Sequence, residues 1–96
     1  MDKDEFEWDA AKAESNLKKH GVSFEAAQRV FDDAFAVESC HAASESGEIR
    51  YVIAGMVHDV ILAVVYTERG GRARIISARK ATKHEEREYH RSQTAE

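Results

Sequence analysis

The chain is 96 residues long, 43% hydrophobic and 33% charged, which suits one soluble domain with a single modest core. Its one cysteine, Cys40, rules out an internal disulfide, and its longest strongly apolar run, residues 60–65, is far too short to span a bilayer. The net charge of −4 hides an asymmetry, since residues 1–68 carry −8 and residues 69–96 carry +4. The N-terminus lacks the basic-then-apolar layout of a secretory signal, so a cytoplasmic protein with no membrane contact is expected.

Phe6 and Trp8 alternate with Glu5 and Glu7, a pattern that predicts a short edge strand. Asp9 can cap a helix running to about Lys19, and Gly21 can supply its left-handed stop after His20. Lys18, Lys19 and His20 would then complement the dipole in the last turn. Ser23 caps a second helix with Glu25 in its first turn, and Phe24, Ala27, Val30 and Phe31 recur at near-helical spacing. Asp32-Asp33 marks its exit.

Phe35 and Val37 open a strand, followed by a polar loop over residues 42–47. Residues 49–57 read as a strand with Ile49, Tyr51, Ile53 and Val57 on one face. His58-Asp59 is a weak turn signal because it lacks glycine. Residues 60–67, apolar at nearly every position and rich in β-branched side chains, predict the central strand. Gly70-Gly71 is the stronger hairpin signal and leads into a last strand over residues 72–79. Thr82-Lys-His-Glu85 is a capping box, so a C-terminal helix should start near Lys83 and reach about Arg91. The expected fold is one α+β domain over residues 1–96: two N-terminal helices, an antiparallel meander and a C-terminal helix, with the helices on one face.

The basic charge concentrates in residues 66–83, where Arg69, Arg72, Arg74, Arg79, Lys80 and Lys83 surround a glycine turn and a short strand. Guanidinium groups match phosphate oxygens and stay charged at any working pH, so this segment points to a phosphate-binding surface. Regular alternation places Arg72 and Arg74 on one face with Ile76 and Ala78, and Arg79 on the other. Arg79 then stands at a cleft between sheet and helix, and Arg69 and Arg72 flank the glycine turn. Lys80 and Lys83 lie near a helix N-terminus, itself favourable for anions. The plainer reading is that Arg72 and Arg74 merely solubilise an exposed strand.

Two motifs go further. Phe6-Glu-Trp-Asp-Ala-Ala-Lys12, Asn16-Leu-Lys-Lys-His-Gly-Val-Ser-Phe-Glu25 and Val30-Phe-Asp-Asp33 together resemble the opening of BrnT toxins. Tyr66-Thr-Glu-Arg-Gly-Gly-Arg-Ala-Arg-Ile-Ile-Ser-Ala-Arg-Lys-Ala-Thr82, followed by Glu85, Arg87 and Tyr89, is similar to their closing segment. The resemblance covers residues 5–89, with no matching motif around residues 39–48. It implies a RelE-like fold and a ribonuclease that arrests growth by blocking translation. It also implies a BrnA-like antitoxin with a ribbon-helix-helix DNA-binding region, commonly two toxins flanking an antitoxin dimer, with DNA reached only through the antitoxin.

RNA cleavage without a cofactor needs a proton acceptor for the 2′-hydroxyl, cations for the developing phosphorane charge, and an acid for the 5′-oxygen. By analogy with RelE-like nucleases, Arg69 and Arg79 are the expected phosphate and transition-state stabilisers, with Arg72 and Arg74 positioning RNA. Glu68 is a candidate base or simply an ion-pair partner of a neighbouring arginine. His20 is a candidate acid or base, because imidazole exchanges protons near neutrality, or only a helix-terminal cation. Lys19 has the same two readings, and Tyr89 either stacks on a base or packs under the sheet. His84-Glu-Glu-Arg-Glu88 lacks the second histidine of a zinc helix, and Cys40-His41 has no metal-ligand spacing, so no metal is expected. The competing reading is a nucleic-acid- or partner-binding module that uses the same basic face without cutting.

Overall fold

Asp9 starts the first helix as its spacing predicts: its carboxylate accepts the N–H groups of Ala11 and Lys12 at 2.8 and 3.0 Å. Helix α1 (Ala10–His20) ends where Gly21, at φ 72°, donates its N–H to Leu17 at 2.8 Å. The Ser23 hydroxyl caps helix α2 (Phe24–Gln28) through Ala26, and a 3-10 turn (Arg29–Asp32) follows. The computed structural model describes residues 5–40 and 47–94; most of the expected polar loop after Cys40, and His41, lie outside them.

Among the described residues the strands are β1 (Phe6–Glu7), β2 (Val37–Cys40), β3 (Tyr51–Val57), β4 (Val60–Arg69) and β5 (Arg72–Lys80), followed by helix α3 (Lys83–Thr94). They form one sheet in the order β1-β5-β4-β3-β2. Strands β2 to β5 are the expected antiparallel meander, but β1 lies parallel to β5, pairing Phe6 with Ala73, so the sheet is mixed. Both hairpin turns use positive φ, at Gly70 and Gly71 (60° and 81°) and also at His58 and Asp59 (49° and 68°). The second pair makes the same turn at a conformational cost that glycine would avoid.

The expectation of helices on a single face is corrected. Helices α1 and α2 cover one face, where Phe24, Ala27, Val30, Leu62, Val64, Ile75 and Ala78 form the main core. Helix α3 lies on the other, where Tyr89 packs with Ala54 and Ile61. The reason is visible in β4: residues 61–64 are all buried, so both faces need cover. The 3-10 turn presses so closely on β3 that a Cβ at Gly55 would stand 2.9 Å from Val30 Cγ1. Among the described residues no helix is long and apolar enough to cross a membrane.

Candidate active site

A β-bulge organises the basic residues. Val65 pairs with Ser77 and Tyr66 with Ile75, which leaves Ile76 as the extra residue in β5. The bulge shifts the side-chain phase, so Ile75 and Ala78, three apart, enter the same core. Arg72, Arg74 and Arg79 therefore share the opposite face, the one that carries α3. The expected split of Arg79 from Arg72 and Arg74 is corrected, because strict alternation does not survive an inserted residue.

Arg69 joins that face, paired directly across the hairpin from Arg72. Like charges placed opposite one another are destabilising, so this end of the sheet favours an anion. The arginines do not gather at one point. Arg72 and Arg79 stand about 20 Å apart along β5, too far for both to hold one phosphate group. The face is an elongated track.

Most of its guanidiniums are braced by carboxylates. Arg79 donates from Nη1 to Glu85 Oε1 at 2.7 Å and from Nη2 to Oε2 at 3.0 Å. Arg74 reaches Glu7 at 3.0 Å and Arg69 reaches Glu48 at 2.9 Å. Among the described residues Arg72 has no ion-pair partner. The hydrogen bond from Arg79 holds Glu85 below its ordinary value, and the same bond raises Arg79, so the pair stays ionised. A guanidinium has five N–H groups. Glu85 takes two from Arg79 and the Lys80 carbonyl, at 3.4 Å, takes a third, leaving Nε and one Nη2 hydrogen for an incoming oxygen.

Lys12, Ser15, Asn16, Lys19 and His20 of α1 line a shallow cleft of about 190 Å³ with Ile76 and Ser77. Asn16 fixes this docking: its Nδ2 donates to Val22 O and Ala78 O at 2.9 Å each, and its Oδ1 accepts the Ala78 N–H at 3.1 Å. Lys19 and His20 are thus brought to Ser77, two residues from Arg79. Lys80 ends β5 and Lys83 begins α3, both exposed.

Glu68 is not brought to the arginines. Its position in β4 turns it to the opposite face, where it lines a cavity of about 620 Å³ with Glu5, Asp33, Glu38, Phe31 and Tyr66. That cavity is larger, but its carboxylates repel phosphate, so the arginine track is the chemically suited surface despite its shallowness. The Tyr66 hydroxyl is bonded to Glu38; burial, then that bond, raises its ionisation well above the ordinary tyrosine value. Among the described residues no group of three or more His, Cys, Asp or Glu could hold a metal ion.

Two structural residues escape sequence reasoning. Asn16 reads as one polar residue on a polar helix, although it is buried. Asp33 reads as a helix exit, yet its carboxylate accepts the Met56 N–H at 2.8 Å, the Phe35 N–H at 2.9 Å and the Tyr89 hydroxyl at 2.6 Å. Tyr89, 2% exposed, packs under the sheet and does not present its ring for stacking.

No curated protein matches the chain. A family model described as the ribonuclease toxin BrnT of type II toxin–antitoxin systems matches residues 8–85. That span holds α1, the bulged strand with Arg72, Arg74 and Arg79, and the Glu85 that braces the last of them, and so the chain belongs to the BrnT family of ribonuclease toxins.

Proposed function

We propose that this chain is a RelE-like endoribonuclease that needs no metal, cleaves RNA to inhibit translation, and is silenced by a BrnA-like ribbon-helix-helix antitoxin in a complex of two toxins and two antitoxins. The observation that carries this reading is the bulge at Ile76. It puts Arg79 on the face of Arg72 and Arg74, which Arg69 joins across the hairpin, and Lys19 and His20 share a cleft with Ile76 and Ser77 at the outer edge of the same strand.

In the proposed reaction the 2′-oxygen attacks the adjacent phosphorus, the P–O5′ bond breaks, and a 2′,3′-cyclic phosphate and a 5′-hydroxyl result. Arg79, with two N–H groups left over, holds the non-bridging oxygens as negative charge grows. His20 accepts the 2′-hydroxyl proton, and Lys19 donates one to the departing 5′-oxygen. Arg74, Arg72 and Arg69 carry the flanking backbone along the track, with Lys80 and Lys83 adding to its field. Glu68 takes no part, because a base must reach the proton it removes and this one lines the acidic cavity, whose carboxylates repel the phosphate. The antitoxin silences the toxin by covering the arginine track, so RNA and antitoxin compete.

The test is digestion of single-stranded RNA by the purified chain in EDTA, with product ends identified. Cyclic phosphate ends, lost in Arg79→Ala, are expected. Binding without cleavage by the intact chain would instead favour a non-catalytic module on the same face.

A further inference from the structure

A further cavity of about 300 Å³ lies between α3 and the β2–β3 edge, lined by Val37, Ser39, Val52, Ala54, His84, Glu88 and the Glu85 that binds Arg79. Val37, Val52 and Ala54 give it an apolar floor. Beside Glu85, its polar lining comes from the exposed His84 and Ser39 and the half-buried Glu88. Glu85 is committed to Arg79 and to the Thr82 N–H. Glu88 is less committed: among the described residues its Oε2 meets the exposed Arg91 at 3.1 Å, in a pair on the helix surface.

We propose that this cavity is a nucleobase subsite and that it selects guanine. The proposal rests on the reading of Arg79 as the group that holds the scissile phosphate. Glu85 both lines the cavity and binds Arg79, so a nucleotide whose phosphate lies on Arg79 can set its base on the apolar floor. An apolar slot with a few polar groups at one edge is what a flat base in single-stranded RNA requires. The identity follows from donor order. A carboxylate only accepts, so it needs adjacent donors, and guanine alone presents two, N1–H and N2–H, side by side on its pairing edge. Adenine and cytosine set a ring acceptor beside their amino group, and uracil flanks its single N–H with two oxygens. Glu88 can therefore accept two hydrogen bonds from guanine and at most one from each of the others. His84 stands near enough along the same helix to share in holding the base.

The experiment measures affinity for four short RNAs that carry 2′-methoxy groups, and so cannot be cut, differing in one base: G, A, C or U. Wild type should bind the guanine oligonucleotide about tenfold more tightly than the other three, the discrimination expected of a two-pronged base contact. Glu88→Gln, which replaces one acceptor by a donor, should erase most of that preference. Ser39→Trp, on the exposed edge strand, should do so by filling the slot. Equal affinity of the wild type for all four, or a guanine preference that survives both substitutions, would overturn the proposal. Cleavage of the unmodified RNAs is scored separately. Guanine-selective binding without cleavage supports the subsite and refutes the nuclease, whereas cleavage without base selectivity does the reverse.

Discussion

Arg79 and Glu85 are joined by two parallel hydrogen bonds, 2.7 and 3.0 Å long, and the same Glu85 oxygen that meets Nη1 also accepts the Thr82 N–H at 2.8 Å. One carboxylate therefore orients the guanidinium at the end of β5 and closes the first turn of α3. The Thr82 hydroxyl completes the box by accepting the Glu85 N–H at 3.1 Å.

Glu85→Ala loses the brace and half of the capping box together, and should cost about 1–2 kcal/mol in urea denaturation at neutral pH. The pH dependence has a definite sign. Arg79, chiefly, lowers the Glu85 carboxyl from its ordinary 4.5 in the folded chain. Its stabilisation is therefore present above that value and is lost as pH falls through the lowered folded one. The gap between wild type and Glu85→Ala should narrow in acid. A gap that widens there would show that the pair is not what Glu85 contributes.

Asp33 links the two sides of the sheet, because it follows the 3-10 turn on one face and receives Tyr89 from α3 on the other. Burial pushes this carboxyl up, but the bonds from Met56, Tyr89 and Phe35 outweigh it and leave it below its ordinary 3.8. Tyr89→Phe removes one bond and should cost about 1 kcal/mol. Asp33→Ala also strands the Met56 N–H and should cost about 2–3 kcal/mol. The double variant should lose less than the sum, because both changes delete the same bond. Strict additivity in thermal unfolding would mean that the bond does not form in solution.

Asn16→Ala should destabilise the chain by about 2–4 kcal/mol, since it leaves the carbonyl and the N–H of Ala78 buried without their partner. It should also loosen α1 from β5. Hydrogen exchange at Ala78 is the readout, and faster exchange there with little change at Ala63 is the expected pattern.

Much of this architecture can be read from residue order, because it rests on local chemistry. Asp9, Gly21, Ser23 and Thr82 each mark a helix end through bonds made within a few residues, and all four act as their positions suggest. The parallel docking of β1 is not legible, since it depends on Glu5 O accepting the Ala73 N–H at 2.8 Å across most of the chain. Nor is the bulge: Ile75-Ile76 looks like any β-branched pair, and only the pairing with Tyr66 and Val65 reveals the extra residue. That one residue decides which face Arg79 occupies. A partial signal did exist for cover on both faces, in the unbroken apolar run of residues 60–65.

The proposed function requires RNA to lie along the arginine face and not in the acidic cavity behind it. Chemical-shift mapping of the labelled chain with a 2′-methoxy RNA tests this directly. The largest changes are predicted at Arg72, Arg74, Ser77 and Arg79 and at Lys19 and His20, with Glu5, Glu38 and Glu68 left undisturbed. Changes centred on those three glutamates, with the arginine strand silent, would contradict it.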